Sequence, residues 1–210
     1  MTEAGGQMAL LSVNAAGGEQ GHEPAGAGTL DAALDLLPEG RPVTVLIHGF
    51  RFSPYAPGTD PHGHIFSFEP TRECWKAISW PRHLHLDRPG AGLGIGFGWP
   101  ANGALPRVAA RAHDAGACLS RMLRTIRVRR PDAPLQIMAH SLGARVALTA
   151  LRTAPERAVQ RMILLSGAEY RSVARNALTE PAAAGCEVLN VTSGENAPFD
   201  LMFRLAVPAG

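Results

Sequence analysis

Short apolar runs bounded by turn residues recur along the chain, and one long stretch carries a helical period instead. Met8–Val13 reads as a first strand, followed by a Gly-rich polar loop from Ala15 to Gly28. Thr29 is placed to cap a helix over Leu30–Leu37, with Leu30, Leu34 and Leu37 on one face and Pro38-Glu39-Gly40 ending it. Val43–Ile47 is continuously apolar and β-branched, as a buried strand is. Gly92–Trp99 alternates glycine with apolar residues, so one strand face is bare backbone that permits close packing. Leu105–Val128 is the clearest helix: Leu105, Val108, Ala112, Ala115, Leu119, Met122 and Ile126 recur every three or four residues. Leu135–Met138 is another buried strand, and a helical pattern runs from Ala144 to Leu151. Arg161–Ser166 and Cys186–Thr192 read as two more strands. Ser172–Leu178 is a weak helix, and Leu201–Val207 begins a last one.

Strands that alternate with helices predict an α/β fold with a doubly wound, mainly parallel sheet of about six strands. The 210 residues suit a single domain, spanning 1–210. A hydrophobic content of 46% with 18% charged residues reads as globular. The net charge of +2 points to no nucleic-acid partner. Arg107, Arg111, Arg121, Arg124 and Arg127 lie mostly off the stripe of the long helix and read as its solvated face. Cys74, Cys118 and Cys186 are odd in number and widely spaced, so neither a disulfide framework nor a zinc site is indicated. Reduced thiols, no apolar run of about 20 residues and no basic residue in Met1–Gln7 predict a cytoplasmic protein with neither signal peptide nor membrane span.

Residues 52–92 form a long insertion between strands, rich in Pro, Gly and His. Such a connection in a compact domain is usually functional or disordered. Phe66, Trp75 and Trp80 are expected to fold it down as a hydrophobic patch, in the manner of a lid. A short helix is expected over Arg72–Ile78. His62 and His64 suggest a metal pair only weakly, since no third ligand accompanies them. The glycines of 92–98 lack the G-x-G-x-x-G spacing of a dinucleotide site. No cofactor and no metal are therefore expected.

The segment Leu135–Val146 carries the chemistry. A buried strand runs into Ala139-His140-Ser141-Leu142-Gly143 and then a helix. Strand, tight turn and helix with a serine at the tip is the context of a nucleophile elbow. Small residues two before and two after Ser141 let strand and helix pass closely. Ser141 also sits at a helix N-terminus, where free N–H groups favour developing negative charge. Ala139 departs from the usual G-x-S-x-G by one methyl. The bland alternative is a serine that merely caps a helix. Separately, Val43–Ile47 ends in His48-Gly49-Phe50.

Together the two motifs resemble the α/β-hydrolase superfamily, closest to bacterial members with H-G-[FY] and A-H-S-[LM]-G signatures and no assigned substrate. The resemblance covers about Leu37–Leu205. It implies a serine hydrolase acting on an ester, thioester or related acyl bond, with Ser141 as nucleophile. Backbone N–H groups of Phe50 and Leu142 would form the oxyanion hole, with Arg51 a further donor. His48 would orient the loop and would not be the base. Trp99-Pro100 would stand beside the active-site mouth, or pack in the core. The triad acid would follow the strand at Cys186–Thr192, with Glu195 first, Asp200 second and Glu169 third.

The triad runs Ser, acid, His in chain order, and no histidine follows His140. The residue beside Ser141 on a strand should face the opposite way. The resemblance also implies one further strand and helix beyond Gly210. Three readings stand: a chain truncated relative to its relatives, a base supplied by His62, His64, His83 or His85, or a non-catalytic binding module. The expected partner is a small-molecule acyl substrate, with self-association through an exposed sheet edge.

Overall fold

A computed structural model describes residues 10–15, 22–24, 29–71 and 78–208. Among the described residues, seven strands form one sheet: β1 (Leu10–Ala15), β2 (His22–Pro24), β3 (Val43–Ile47), β4 (Leu93–Gly98), β5 (Leu135–His140), β6 (Arg161–Leu165) and β7 (Glu187–Val191). Their order is β2-β1-β4-β3-β5-β6-β7. Six strands are mutually parallel, and only β2 runs antiparallel, against β1. The expected loop over 15–28 therefore contains a short strand. Three residues of hairpin pairing need no hydrophobic pattern, so periodicity could not reveal it.

The helices are α1 (Leu30–Leu36), α2 (Trp80–His83), α3 (Leu105–Arg129), α4 (Leu142–Leu151), α5 (Arg171–Leu178) and α6 (Ala197–Ala206). Thr29 caps α1 as expected, its hydroxyl accepting from the Ala32 amide at 3.2 Å. α4 starts at Leu142, immediately after Ser141, and α6 starts at Ala197 rather than Leu201. Pro198 sits in the first turn of α6, where its missing N–H costs nothing. Residues 72–77 of the expected helix at Arg72–Ile78, Cys74 and Trp75 among them, lie outside the described residues.

Strand alternation splits the core in two. Val43, Val45, Ile47, Ile95, Phe97, Leu135 and Ile137 face the large core shared with α1, α3 and α4. Leu46 and Met138 face the other way and are covered by Ile65, Phe66 and Leu86 of the insertion, with Trp80 packed on them. The insertion is thus the second layer over the middle of the sheet. Phe66, 1% exposed, lies against the bare backbone of Gly96, which is the close packing that the glycine alternation permits. At the far edge, β7 pairs only with β6 among the described residues, and Leu189 and Val191 remain 43% and 52% exposed.

Candidate active site

Ser141 joins β5 to α4 with φ 50° and ψ −121°, a conformation that costs a non-glycine residue free energy. The neighbouring backbone holds it there. Its N–H donates to Leu165 O at 2.9 Å, and its carbonyl accepts from Ala144 and Ala168 N–H groups, both at 3.0 Å. Gly143 lies so close to the end of β3 that a Cβ there would sit 2.6 Å from the carbonyl oxygens of Ile47 and His48. A Cβ on Gly49 would sit 2.8 Å from Ser141 Cβ and 3.0 Å from His140 Nδ1. The two motifs therefore interlock through glycines.

A cavity of about 340 Å³ opens over the elbow, lined by Ser141, Leu142, Phe50, Arg51 and Asp200, among others. Leu142 is the first residue of α4, so its amide is one of the N–H groups without an intrahelical acceptor. The Arg51 N–H is already engaged, donating to Ala101 O at 2.8 Å. That leaves Phe50 as the loop residue of interest.

His48 underpins this loop. It is fully buried and stacked on Trp99, ring centroids 5.7 Å apart and 12° from parallel. The Trp99 amide donates to His48 Nε2 at 3.0 Å, so the ring proton is on Nδ1, which donates to Gly49 O at 2.9 Å. The Trp99 indole N–H in turn donates to His48 O. Burial pushes the His48 pKa down to about 3. His48 is therefore a neutral strut. Trp99 is 0% exposed and belongs to the core beneath the loop, not to the cavity wall.

The three carboxylates separate. Asp200 lines the cavity from α6. Glu195 sits in a single 3₁₀ turn, Gly194–Asn196, is exposed and does not line it. Glu169 is committed elsewhere: its side chain is 4% exposed, 3.2 Å from Arg145 Nη1, and accepts from the Tyr170 N–H at 2.8 Å. Burial raises its pKa despite these contacts.

Two polar residues of the cavity, Ser166 and Asn196, were not among those expected from the sequence. Ser166 ends β6 at φ 49°, much as Ser141 ends β5. Its hydroxyl accepts from Asn196 Nδ2 at 2.7 Å, and both residues line the cavity. Their signal was positional: each follows a parallel strand, β6 or β7, at its carboxyl end, where α/β sheets place ligands.

The histidines of the insertion do not reach the cavity. His62 Nε2 bonds Asn14 Oδ1 at 2.8 Å on the β1 side, and His83 Nδ1 bonds Ser79 O at 2.7 Å. His64 and His85 do not line the cavity either. His140 does line it. Strand alternation would send it to the opposite face, but the positive φ at Ser141 breaks the alternation there. Its ring meets Trp80 edge-on at 6.4 Å, and burial lowers its pKa. Among the described residues, no cluster of three or more His, Cys, Asp or Glu is placed to hold a metal. Nor is any helix among them long and apolar enough to cross a membrane.

A parallel sheet carrying a strained serine between strand and helix, beside a His-Gly-Phe loop, defines an α/β-hydrolase fold. Residues 38–173 match the family described as alpha/beta hydrolase of unknown function (DUF900), and the chain belongs to that family. The match ends before β7 and α6. No curated protein matches the chain. Among solved structures, the chain is similar to the catalytic core domain of acetyl xylan esterase from Trichoderma reesei. The two share 12% identity at TM-score 0.42, covering 79% of this chain and 98% of that one. An acetylxylan esterase structure at 0.90 Å resolution has 11% identity and TM-score 0.41, covering 78% and 96%.

Proposed function

We propose that the protein is a serine hydrolase of acyl bonds. The observation that carries this is the strained Ser141 facing a cavity that Phe50 and Leu142 also line. In this reading Ser141 Oγ bonds to the carbonyl carbon of an ester or thioester. The carbonyl electron pair moves onto oxygen, and the Phe50 and Leu142 N–H groups receive that charge. The bond to the leaving group breaks, and the alcohol or thiol departs with the proton taken from Ser141. Water then repeats the sequence on the acyl–Ser141 ester and restores the hydroxyl. Among the described residues Asp200 is the carboxylate that lines the cavity, and we assign it the acid's role ahead of Glu195.

Incubation with a fluorophosphonate probe tests the nucleophile. Labelling that maps to Ser141 and vanishes in Ser141→Ala is expected; a folded wild type that stays unlabelled overturns the proposal.

The proton acceptor needs its own reading, because no histidine follows His140 in the sequence. Without an aligned base, turnover by these 210 residues is expected to be slower by about 10²–10⁴ than a full triad would give. One observation favours His140 as the acceptor within this chain. Its Nδ1 and Ser141 Cβ both lie within 3.0 Å of one point, so they are no more than about 5.8 Å apart. Its lowered pKa also keeps the imidazole neutral at pH 7. In that reading His140→Ala lowers the labelling rate at least tenfold and removes its rise with pH through the histidine range. An unchanged rate and profile exclude it.

A further inference from the structure

We infer that the cavity over Ser141 is an acyl-chain site, taking an uncharged, straight chain of about six to eight carbons. This rests on the reading of Ser141 as the residue that is acylated.

The wall comes from four separate parts of the fold: Phe50 after β3, Leu105 at the start of α3, Leu142 at the elbow, and Phe199, Met202 and Phe203 of α6. The Phe50 and Leu142 amides face the carbonyl in the proposed reaction; the Leu142 side chain is buried in the core, and the half-buried Phe50 ring begins the apolar wall that a chain leaving that carbonyl would follow. The acyl group is the part that stays attached between the two half-reactions, so it is the part the wall must hold.

The polar residues around this wall ask little of the chain. Ser166 and Asn196 bond to each other at 2.7 Å. Arg51 and Asp200 carry opposite charges, and both are exposed. A charged acyl group would find no net counter-charge there and would lose its hydration on entry.

Size sets the length. A methylene needs about the room of a water molecule in the liquid, ~30 Å³, so a cavity of about 340 Å³ holds on the order of ten such groups. The reacting carbonyl and the leaving atom take part of that room. Phe199 and Met202 are 67% and 43% exposed, so the wall runs out to solvent along α6. The far end of the chain would cover them.

The test separates this inference from the reading it rests on. Ser141→Ala, which cannot be acylated, is titrated calorimetrically with straight-chain carboxylates from butanoate to dodecanoate. These are the products such a reaction would release. Each added methylene should tighten binding about threefold to fourfold, levelling off near eight carbons. Leu105→Trp and Met202→Trp, each checked for an unchanged melting profile, should shift the plateau at least two carbons shorter. Equal binding across the series, or plateaus that neither tryptophan moves, overturns the chain site. Tighter binding of alkanols than of carboxylates of equal length overturns the acyl assignment. Fluorophosphonate labelling of the wild type is scored separately. Labelled protein with a flat series retains the hydrolase and loses the chain site. Unlabelled protein with a rising series makes the chain a ligand, not an acyl group, and overturns both claims.

Discussion

Gly49 and Ser141 stand so close that a Cβ built on Gly49 would lie 2.8 Å from Ser141 Cβ. Real Cβ atoms do not approach that far, so any side chain at 49 must push the loop off the elbow. Phe50 is the next residue and moves with it. Gly49→Ala should therefore reduce serine labelling by about 10²–10³-fold, the effect of losing one oxyanion donor. It should also destabilise the fold by about 1–3 kcal/mol, as overpacking does. Gly194→Ala is the control, because a Cβ there meets nothing within 4 Å. Labelling kinetics and urea unfolding of the two variants check the contrast.

His48 makes the fold acid-sensitive. Its folded pKa of about 3 lies below the ordinary value of 6.5, so the unfolded chain binds a proton that the folded one refuses. Stability is then complete above pH 6.5 and is lost progressively as pH falls toward 3, by up to about 5 kcal/mol. His48→Gln removes that titration. Its stability should be lower at pH 7, because the Gly49 and Trp99 hydrogen bonds are disturbed, and its slope between pH 6.5 and 4 should be shallower. Parallel slopes for wild type and variant would assign the acid sensitivity to other groups.

Much of the site was legible because strand patterning and turn chemistry are local. The runs at Val43–Ile47 and Leu135–Met138 place two parallel strands side by side, and their trailing motifs must then meet. What was not legible depends on how a turn aims its side chains. Glu195 and Asn196 are adjacent, yet the 3₁₀ turn sends only Asn196 into the cavity. His140 and Ser141 should face opposite ways by alternation, yet both line it, because one positive φ resets the direction. The partner of Glu169 is Arg145, 24 residues earlier, and spacing carries no trace of such a pair.

The carboxylates can be ranked by substitution. Asp200 lines the cavity and Glu195 does not, so Asp200→Asn should lower the labelling rate by about tenfold or more, whereas Glu195→Gln should change it less than twofold. Both side chains are exposed, so stability should move by no more than about 0.5 kcal/mol in either variant. Probe-labelling rates at pH 7 decide it; the reverse ranking would return the acid's role to Glu195.

Arg145 ties α4 to the elements around it. It pairs with Glu169, approaches His113 Nε2 at 3.2 Å and faces the Phe203 ring at 5.9 Å. Arg145→Met leaves a carboxylate 4% exposed without its cation, at a cost of about 3–5 kcal/mol. Glu169 already has a raised pKa, and the variant raises it further. The folded state then holds a proton that the unfolded state releases, so stability should fall as pH rises through and above the ordinary carboxylate range. Arg145→Met/Glu169→Leu should recover part of the loss and remove that pH dependence. Urea unfolding at pH 5 and pH 8 separates the two variants.

The outer strand should drive self-association. Among the described residues β7 is paired on one side only, and Leu189 and Val191 lie beside Ile163 and Leu165 in register. An open edge with apolar neighbours offers its N–H and C=O groups to another chain. A charge at such a position is the usual protection, and the apolar positions of β7 lack one. Val191→Lys places an ammonium on that face at a residue already 52% exposed, so the fold should tolerate it. Sedimentation velocity should show concentration-dependent association for wild type and a larger monomer fraction for Val191→Lys. Glu187→Gln, at the start of the strand and bonded to Arg161, should leave the association unchanged. A wild type that stays monomeric at high concentration excludes the edge as an interface.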